Sequence, residues 1–285
     1  MKIKKHLSLA AAALLCLTSL AGCAGGSDDT DTPETITGQI TVVSREDGSG
    51  TRGAFEELFK VEQTTKTAEI VNSTSTMATS VAGNKRAIGY VSLGALSDEV
   101  KALKINGVTP STDAVKDGSY KISRPFNVAT KGEPTGIAAD FLNFVMSPDG
   151  QKVVEDKGYI SEGADKPYAA SNLSGTLRIS GSTSVYPVME KLVEAYEAIN
   201  ADVEIQLQSS DSTTGINDVI NGNIDIGMAS RELKDSETAQ GLLSKAIALD
   251  GIAVIVNKGN AMEDMTTEQI RQIFTGKVTD WSNVQ

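Results

Sequence analysis

Four stretches of this chain combine small hydroxyl side chains with glycine at spacings suited to holding an anion. They are S-R-E-D-G-S-G-T (44–51), G-S-T-S-V-Y-P (181–187), S-S-D-S-T-T-G (209–215) and G-M-A-S-R-E (227–232). The start of a helix leaves backbone N–H groups unpaired and carries a partial positive charge. Hydroxyls add donors, and glycine lets the backbone approach an oxyanion closely. One such loop is also an ordinary helix cap. Four together, two of them with an arginine, point to a shared anion site.

Each loop needs a strand before it and a helix or turn after it. The β-rich run 40–44 feeds the first loop, and residues 51–59 have helical spacing with Phe55, Leu58 and Phe59 on one side. Residues 87–93 read as a strand and 137–146 as an amphipathic helix. Pro148 begins a turn, and 151–155 resumes a helix. The polar, turn-rich stretch 161–175 reads as a linker. The pattern then restarts: strand 176–180, helix 187–199, strand 203–207, helix 216–221, strand 224–228, a buried strand ending 246–256, and a helix 265–274 opened by Thr266. Alternating strands and helices predict an α/β fold with largely parallel sheets.

The 285 residues suffice for one two-lobed domain or two small ones. Lys2, Lys4 and Lys5, the apolar run 7–20 and the closing L-A-G-C form a secretory signal over 1–22. That segment takes the one histidine, His6, and Cys16 with it, leaving Cys23 as the remaining cysteine. Ser-His, Cys-His and Cys/His-zinc chemistry are thereby excluded, and so are disulfides. Loss of the three lysines takes the formal charge from −11 to −14. Such a chain has no broad basic patch for nucleic acid. An anion must be held by local dipoles and a few placed cations.

L-A-G-C resembles the lipobox of bacterial lipoproteins, which makes Cys23 the lipidated first residue and 23–39 a polar tether. The rest of the chain resembles the PstS-type phosphate-binding proteins of bacterial ABC importers. The matching segments include G-S-T-S-V-Y-P, D-I-G-M-A-S-R-E-L-K, A-L-D-G-I-A-V-I-V-N, T-T-E-Q-I-R-Q-I-F-T-G-K-V-T-D-W, V-V-S-R-E-D-G-S-G-T-R-G-A-F and Y-K-I-S-R-P-F. Their order differs from the family pattern, in which G-S-T-S-V opens the chain and the I-F-T-G-K segment leads into V-V-S-R-E-D-G-S-G-T-R. Each major segment occurs once. The resemblance implies a two-lobed periplasmic-binding-protein-like fold of type II in circularly permuted order. Lobe one would span 126–252, with the joint of the old ends at 161–174. Lobe two would be split between 40–125 and 253–285. A fragment spanning a tandem pair is the alternative.

The resemblance also implies site roles. Arg45 donates charged hydrogen bonds to phosphate, with Asp47 orienting it. Ser49, Gly50 and Thr51 supply hydroxyl and backbone donors. Thr183, Ser184 and Val185 cover the first lobe-one loop, with a one-residue ambiguity in register, and Ser212 matches a family serine. Ser230 and Arg231 follow the strand after which several family members place a proton-accepting aspartate. With arginine there, rejection of sulfate falls to another acceptor, for which Asp47, Asp211 and Glu232 are candidates. The implied function is capture of inorganic phosphate for the permease of an ABC importer, by a lipid-anchored protein on the extracytoplasmic face. It needs no cofactor, metal or nucleic acid, and is a monomer or a swapped dimer. An enzyme on phosphate esters is disfavoured by the missing His and Cys. A sensor or interaction lipoprotein of the same fold is a further alternative.

Overall fold

The β-branched start of T-V-V-S-R and unbroken apolar runs such as I-A-V-I-V make strands buried on both faces. The computed structural model describes residues 34–164 and 166–284. The signal segment, Cys23 and the first part of the expected tether lie outside the described residues. Strand β1 (Thr41–Arg45) runs into α1 (Gly50–Phe59), then β2 (Glu69–Val71), α2 (Thr74–Ala82) and β3 (Ala87–Ser92). Short strands β4 (Val100–Ala102) and β5 (Lys104–Ile105) and helix α3 (Thr112–Lys116) lead to the long β6 (Ser123–Lys131). Next come α4 (Gly136–Val145), α5 (Pro148–Asp156) and β7 (Ile160–Ser161). Past the joint are β8 (Gly175–Ser182), α6 (Tyr186–Glu197), β9 (Val203–Ser210), α7 (Ser212–Asn221), β10 (Ile226–Ala229) and α8 (Asp235–Thr238). Strands β11 (Leu242–Asn257) and β12 (Asp264–Met265) and helix α9 (Thr267–Phe274) follow.

Side-chain caps set several helix starts. Ser49, Ser73, Ser147, Asp211 and Thr266 each accept a backbone N–H from the first turn of the helix they open, worth about 1 kcal/mol apiece. Two expectations shift for this reason. Residues 148–150 form the first turn of α5, because proline at the first helical position gives up an N–H that has no helical partner anyway. Helix α7 begins at Ser212 rather than at residue 216, because Asp211 caps it. The polar loop 209–215 is therefore half strand end and half helix.

The sheet runs β2-β1-β3-β11-β6-β10-β8-β9. Pairing is parallel at both flanks, β1 with β2 and β3, and β8 with β9 and β10. It is antiparallel in the middle, where β11 meets β3 and β6, and β6 meets β10. The expectation of largely parallel sheets therefore fails at the centre, where β6 and β11 carry the chain from one half to the other. Residues 242–251 of β11 pair with β6, while 252–256 pair with β3.

The apolar interior is divided accordingly. One cluster gathers Val43, Phe55, Phe59, Tyr90, Ile252, Val254, Phe274 and Trp281. Another gathers Phe126, Phe141, Ile179, Val188, Leu192, Tyr196, Met228 and Ile247. In the first, Phe55 and Tyr90 stack with centroids 4.0 Å apart. The two ends of the described chain meet on this first half: the Ile40 N–H donates to Thr279 O at 2.9 Å and the Trp281 N–H to Gly38 O at 3.0 Å.

Two segments expected to be loose are held. The tether was expected to run to residue 39, yet Glu34 exchanges backbone hydrogen bonds with Gly259 and Ala261 and Ile36 packs on the first core. The joint is also pinned. Asp140 accepts from Tyr168 Oη at 2.6 Å, Ser171 Oγ at 2.9 Å and Tyr196 Oη at 2.7 Å.

Candidate functional site

The N-termini of α1, α2, α6 and α7 carry Thr51, Thr74, Ser184 and Ser212, and all four side chains are buried. Thr51 Oγ1 lies 2.8 Å from Ser184 Oγ. Thr74 Oγ1 lies 3.0 Å from Ser184 Oγ and 3.3 Å from Thr183 Oγ1. Ser182 Oγ donates to Ser230 Oγ at 2.9 Å, and the Ser230 N–H donates to Ser212 Oγ at 3.2 Å. The result is one cluster of hydroxyls drawn from both halves of the molecule and set at helix starts, where partial positive charge accumulates.

Arg45 ends β1 only 2 % exposed. Its backbone N–H donates to Tyr90 Oη at 3.2 Å, and the Tyr90 hydroxyl also meets Ser44 Oγ at 2.9 Å. Burial pushes the Tyr90 hydroxyl up to about 12, so it stays protonated and holds the strand end in place. The Arg45 fork grips Glu46 through Nε at 2.8 Å and Nη2 at 2.6 Å, while Nη2 also reaches Thr183 Oγ1 at 3.1 Å. This planar, two-point arrangement leaves a charged donor facing the other half of the site.

Two glycines allow the close approach. A Cβ on Gly50 would lie 2.4 Å from Ser212 Oγ and 2.8 Å from Ser230 Oγ. One on Gly48 would lie 2.2 Å from Asp211 Oδ1, and Gly48 O accepts the Thr213 N–H at 3.1 Å. The first loop therefore seats against the start of α7 only without side chains at these positions. Beside the cluster, a groove of about 440 Å³ is lined by Thr74, Ser97, Thr183 and Ser209 together with Ala78 and Pro187.

Of the residues expected at the site, Arg45, Gly50, Thr51, Thr183, Ser184, Ser212 and Ser230 are brought together. Ser49 is buried as the cap of α1 and accepts from the Arg52 N–H. Val185 is different: its N–H donates to Ser182 O at 3.1 Å and its side chain lies in the second core.

Asp47 does not orient Arg45. Its side chain is 94 % exposed and pairs with Arg52, because the chain turns outward after Glu46 and leaves Glu46 facing the guanidinium. Arg231 is clamped by Glu237, with Nη1 and Nη2 at 2.9 and 2.8 Å from the carboxylate. Burial pushes Glu237 up, but the hydrogen bonds from Arg231 and from the Lys234 N–H outweigh it and hold the carboxyl below its ordinary value. The other candidate acceptors also have partners: Asp211 caps Thr214, and Glu232 accepts from Asn127 Nδ2 at 3.3 Å.

Sequence reasoning missed Thr74 and Glu46. Helix α2 reads T-S-T-M-A-T-S-V-A, poor in strong helix formers. Met77 and Val81 at an i, i+4 spacing behind Ser73 were the available signal. The described residues contain no group of His, Cys, Asp or Glu able to hold a metal ion, and no helix among them is long and apolar enough to cross a membrane.

Residues 5–149 and 166–285 match the family model described as a PBP superfamily domain. The chain is 49% identical to phosphate-binding protein PstS 2 of Streptococcus agalactiae, over all of this chain and 99% of that protein. It is 43% identical to phosphate-binding protein PstS 2 of Streptococcus pneumoniae, over the whole of both chains. The crystal structure of a phosphate-binding protein of a phosphate ABC transporter from Streptococcus pneumoniae TIGR4 superposes with a TM-score of 0.71 at 44% identity, covering 87% of this chain and all of that one. These relatives share the block order of the present chain from end to end. The chain belongs to the PstS-type family of the PBP superfamily.

Proposed function

We propose that this protein captures inorganic phosphate between its two lobes and passes it to the permease of an ABC importer. The observation that carries this reading is the convergence of four helix starts and the buried Arg45 on one hydroxyl cluster shared between the lobes. Dipoles, hydroxyls and a single fork suit a small tetrahedral oxyanion. The names of the full-length relatives support the same ligand.

In this reading the ligand-binding residues are Arg45, Ser49, Gly50, Thr51, Thr183, Ser184, Ser212 and Ser230, with Thr74 added. Glu46 orients Arg45. The chain is a permuted form of the two-lobed fold, and ligand favours the closed state by touching both lobes. The protein binds rather than catalyses, since a chain without histidine beyond residue 6 has no imidazole base to activate these hydroxyls. Lipidation at Cys23 holds it on the extracytoplasmic face of the membrane, as a monomer.

Calorimetric titration of the purified protein with phosphate, arsenate, sulfate and a phosphomonoester tests the reading. Tight binding of phosphate and arsenate with weak binding of the other two is expected. Absence of phosphate binding, or sulfate binding as strongly as phosphate, defeats the proposed ligand.

A further inference from the structure

Where the crossover strands β6 and β11 run side by side, their register sets Arg124 opposite Asp250. Both are almost fully buried, at 3 % and 2 % exposure. Arg124 Nη2 donates to Asp250 Oδ2 at 3.2 Å. The other carboxylate oxygen, Oδ1, is taken by Ser92 Oγ at 2.9 Å and the Gly94 N–H at 3.4 Å. Arg124 Nε and Nη1 are buried and have no partner, and neither has the nearby Tyr159 hydroxyl. The guanidinium carbon also sits 5.3 Å over the Phe126 ring.

A guanidinium has five N–H donors and keeps its charge in proteins. Here a single carboxylate, shared with Ser92 and Gly94, answers one of them. That is an expensive arrangement for a purely structural ion pair, since buried donors without partners cost stability. Its place in the fold gives it another use. Strands β1 and β3 are parallel, Tyr90 of β3 meets Ser44 Oγ and accepts the Arg45 N–H, and Ser92 ends β3 two residues further on, so the buried pair lies at the same strand ends as the first anion loop. A buried positive charge at the base of an anion site is weakly screened, so its field reaches the ligand.

We propose that Arg124 is a second cationic determinant of anion binding, acting through its field from beneath the site, and that Asp250 sets how much of that charge the anion feels. The proposal rests on the phosphate reading above. It separates charge from structure because the two partners then have opposite effects. Removing the cation weakens binding, while neutralising its counter-ion strengthens binding, even though both changes disturb the same buried pair.

Phosphate titrations of the full-length wild type, Arg124→Met, Arg124→Lys and Asp250→Asn, each with its thermal midpoint, test this. Arg124→Met is expected to lose affinity by on the order of 10- to 100-fold, the effect of one weakly screened buried charge at intermediate dielectric. Arg124→Lys is expected to recover most of it, and Asp250→Asn to bind several-fold tighter than wild type despite a lower thermal midpoint. Should Arg124→Met fail to fold, the sign of the Asp250→Asn change decides. Affinity unchanged in Arg124→Met, or weakened in Asp250→Asn, overturns the proposal. A wild type that does not bind phosphate would instead defeat the functional reading on which it rests.

Discussion

Thr51 and Ser184 stand 133 positions apart in the chain and their hydroxyls meet at 2.8 Å, each at the buried start of a helix from a different lobe. That contact ties the two anion loops into one site. Thr51→Val keeps the shape and deletes the hydroxyl. It is expected to weaken phosphate binding roughly 10-fold, the equivalent of one good hydrogen bond. Unchanged affinity by calorimetry would take Thr51 out of the ligand's reach.

Arg45 and Arg52 differ in burial and in partners, although both belong to the R-E-D-G-S-G-T-R motif. Arg45 faces Thr183 across the lobes, whereas Arg52 is occupied by Asp47, Glu56 and the Arg45 carbonyl. Arg45→Ala should cost about 2–4 kcal/mol of phosphate binding, as loss of a charge-assisted contact to a buried anion does. Arg52→Ala should leave the affinity within about 3-fold and act mainly on stability. Equal losses in the two variants would contradict the assignment.

Both arginines hold a carboxylate at two points, but Arg45 also reaches Thr183 in the hydroxyl cluster whereas Arg231 reaches Thr213 at 3.3 Å. Arg231→Ala is therefore expected to change phosphate affinity by less than about 3-fold, and to leave the ratio of phosphate to sulfate binding in place. A loss comparable with that of Arg45→Ala would show that the clamp opens and the guanidinium joins the ligand.

The same clamp predicts a pH dependence of stability. The Glu237 carboxyl is held below its ordinary value of 4.5 in the folded protein, so its contribution is present above that value. It is lost as pH falls through the lower, folded-state value. Glu237→Gln should melt a few degrees below wild type near neutral pH, roughly 2–4 °C for about 1 kcal/mol in a protein of this size. The gap should close as the pH falls below 4.5 and on through the lower, folded-state value. A gap that persists unchanged into that range would mean that the carboxylate's charge is not what stabilises the site wall.

The backbone contacts between Gly38, Ile40, Thr279 and Trp281 make the termini of the described chain neighbours beside the core that holds Phe55 and Trp281. A variant with residues 284 and 39 joined by a short glycine-serine linker, and opened in the exposed stretch 162–164, should fold and bind phosphate like wild type. Circular dichroism and titration check this. A variant that does not fold would mean that the present order of blocks is needed for the lobes to form.

Much of this architecture is written locally. The strand read at 40–44 and the helix read at 51–59 lie within one residue of those observed, the apolar run 252–256 is a buried strand as read, and the helix start at Thr266 follows from cap chemistry. The loop composition announces an anion site. These readings succeed because burial and capping are decided within a turn or two of chain.

Other features depend on where the backbone goes next. The choice of Glu46 over Asp47 as the partner of Arg45 turns on the direction of the chain as it leaves β1. That Arg231 meets Glu237 and Thr213 rather than Thr183 depends on the fold of 232–237, and that Thr74 joins Ser184 depends on a helix whose residues are weak helix formers. The antiparallel centre of the sheet, with Arg124 buried against Asp250, arises because β6 and β11 must each serve two lobes. Sequence by itself determined which groups could bind an anion and where helices would present them. Tertiary structure decided which of those groups were already taken, because a charge spends itself on the nearest partner in space, and nearness between distant segments is a property of the packed chain.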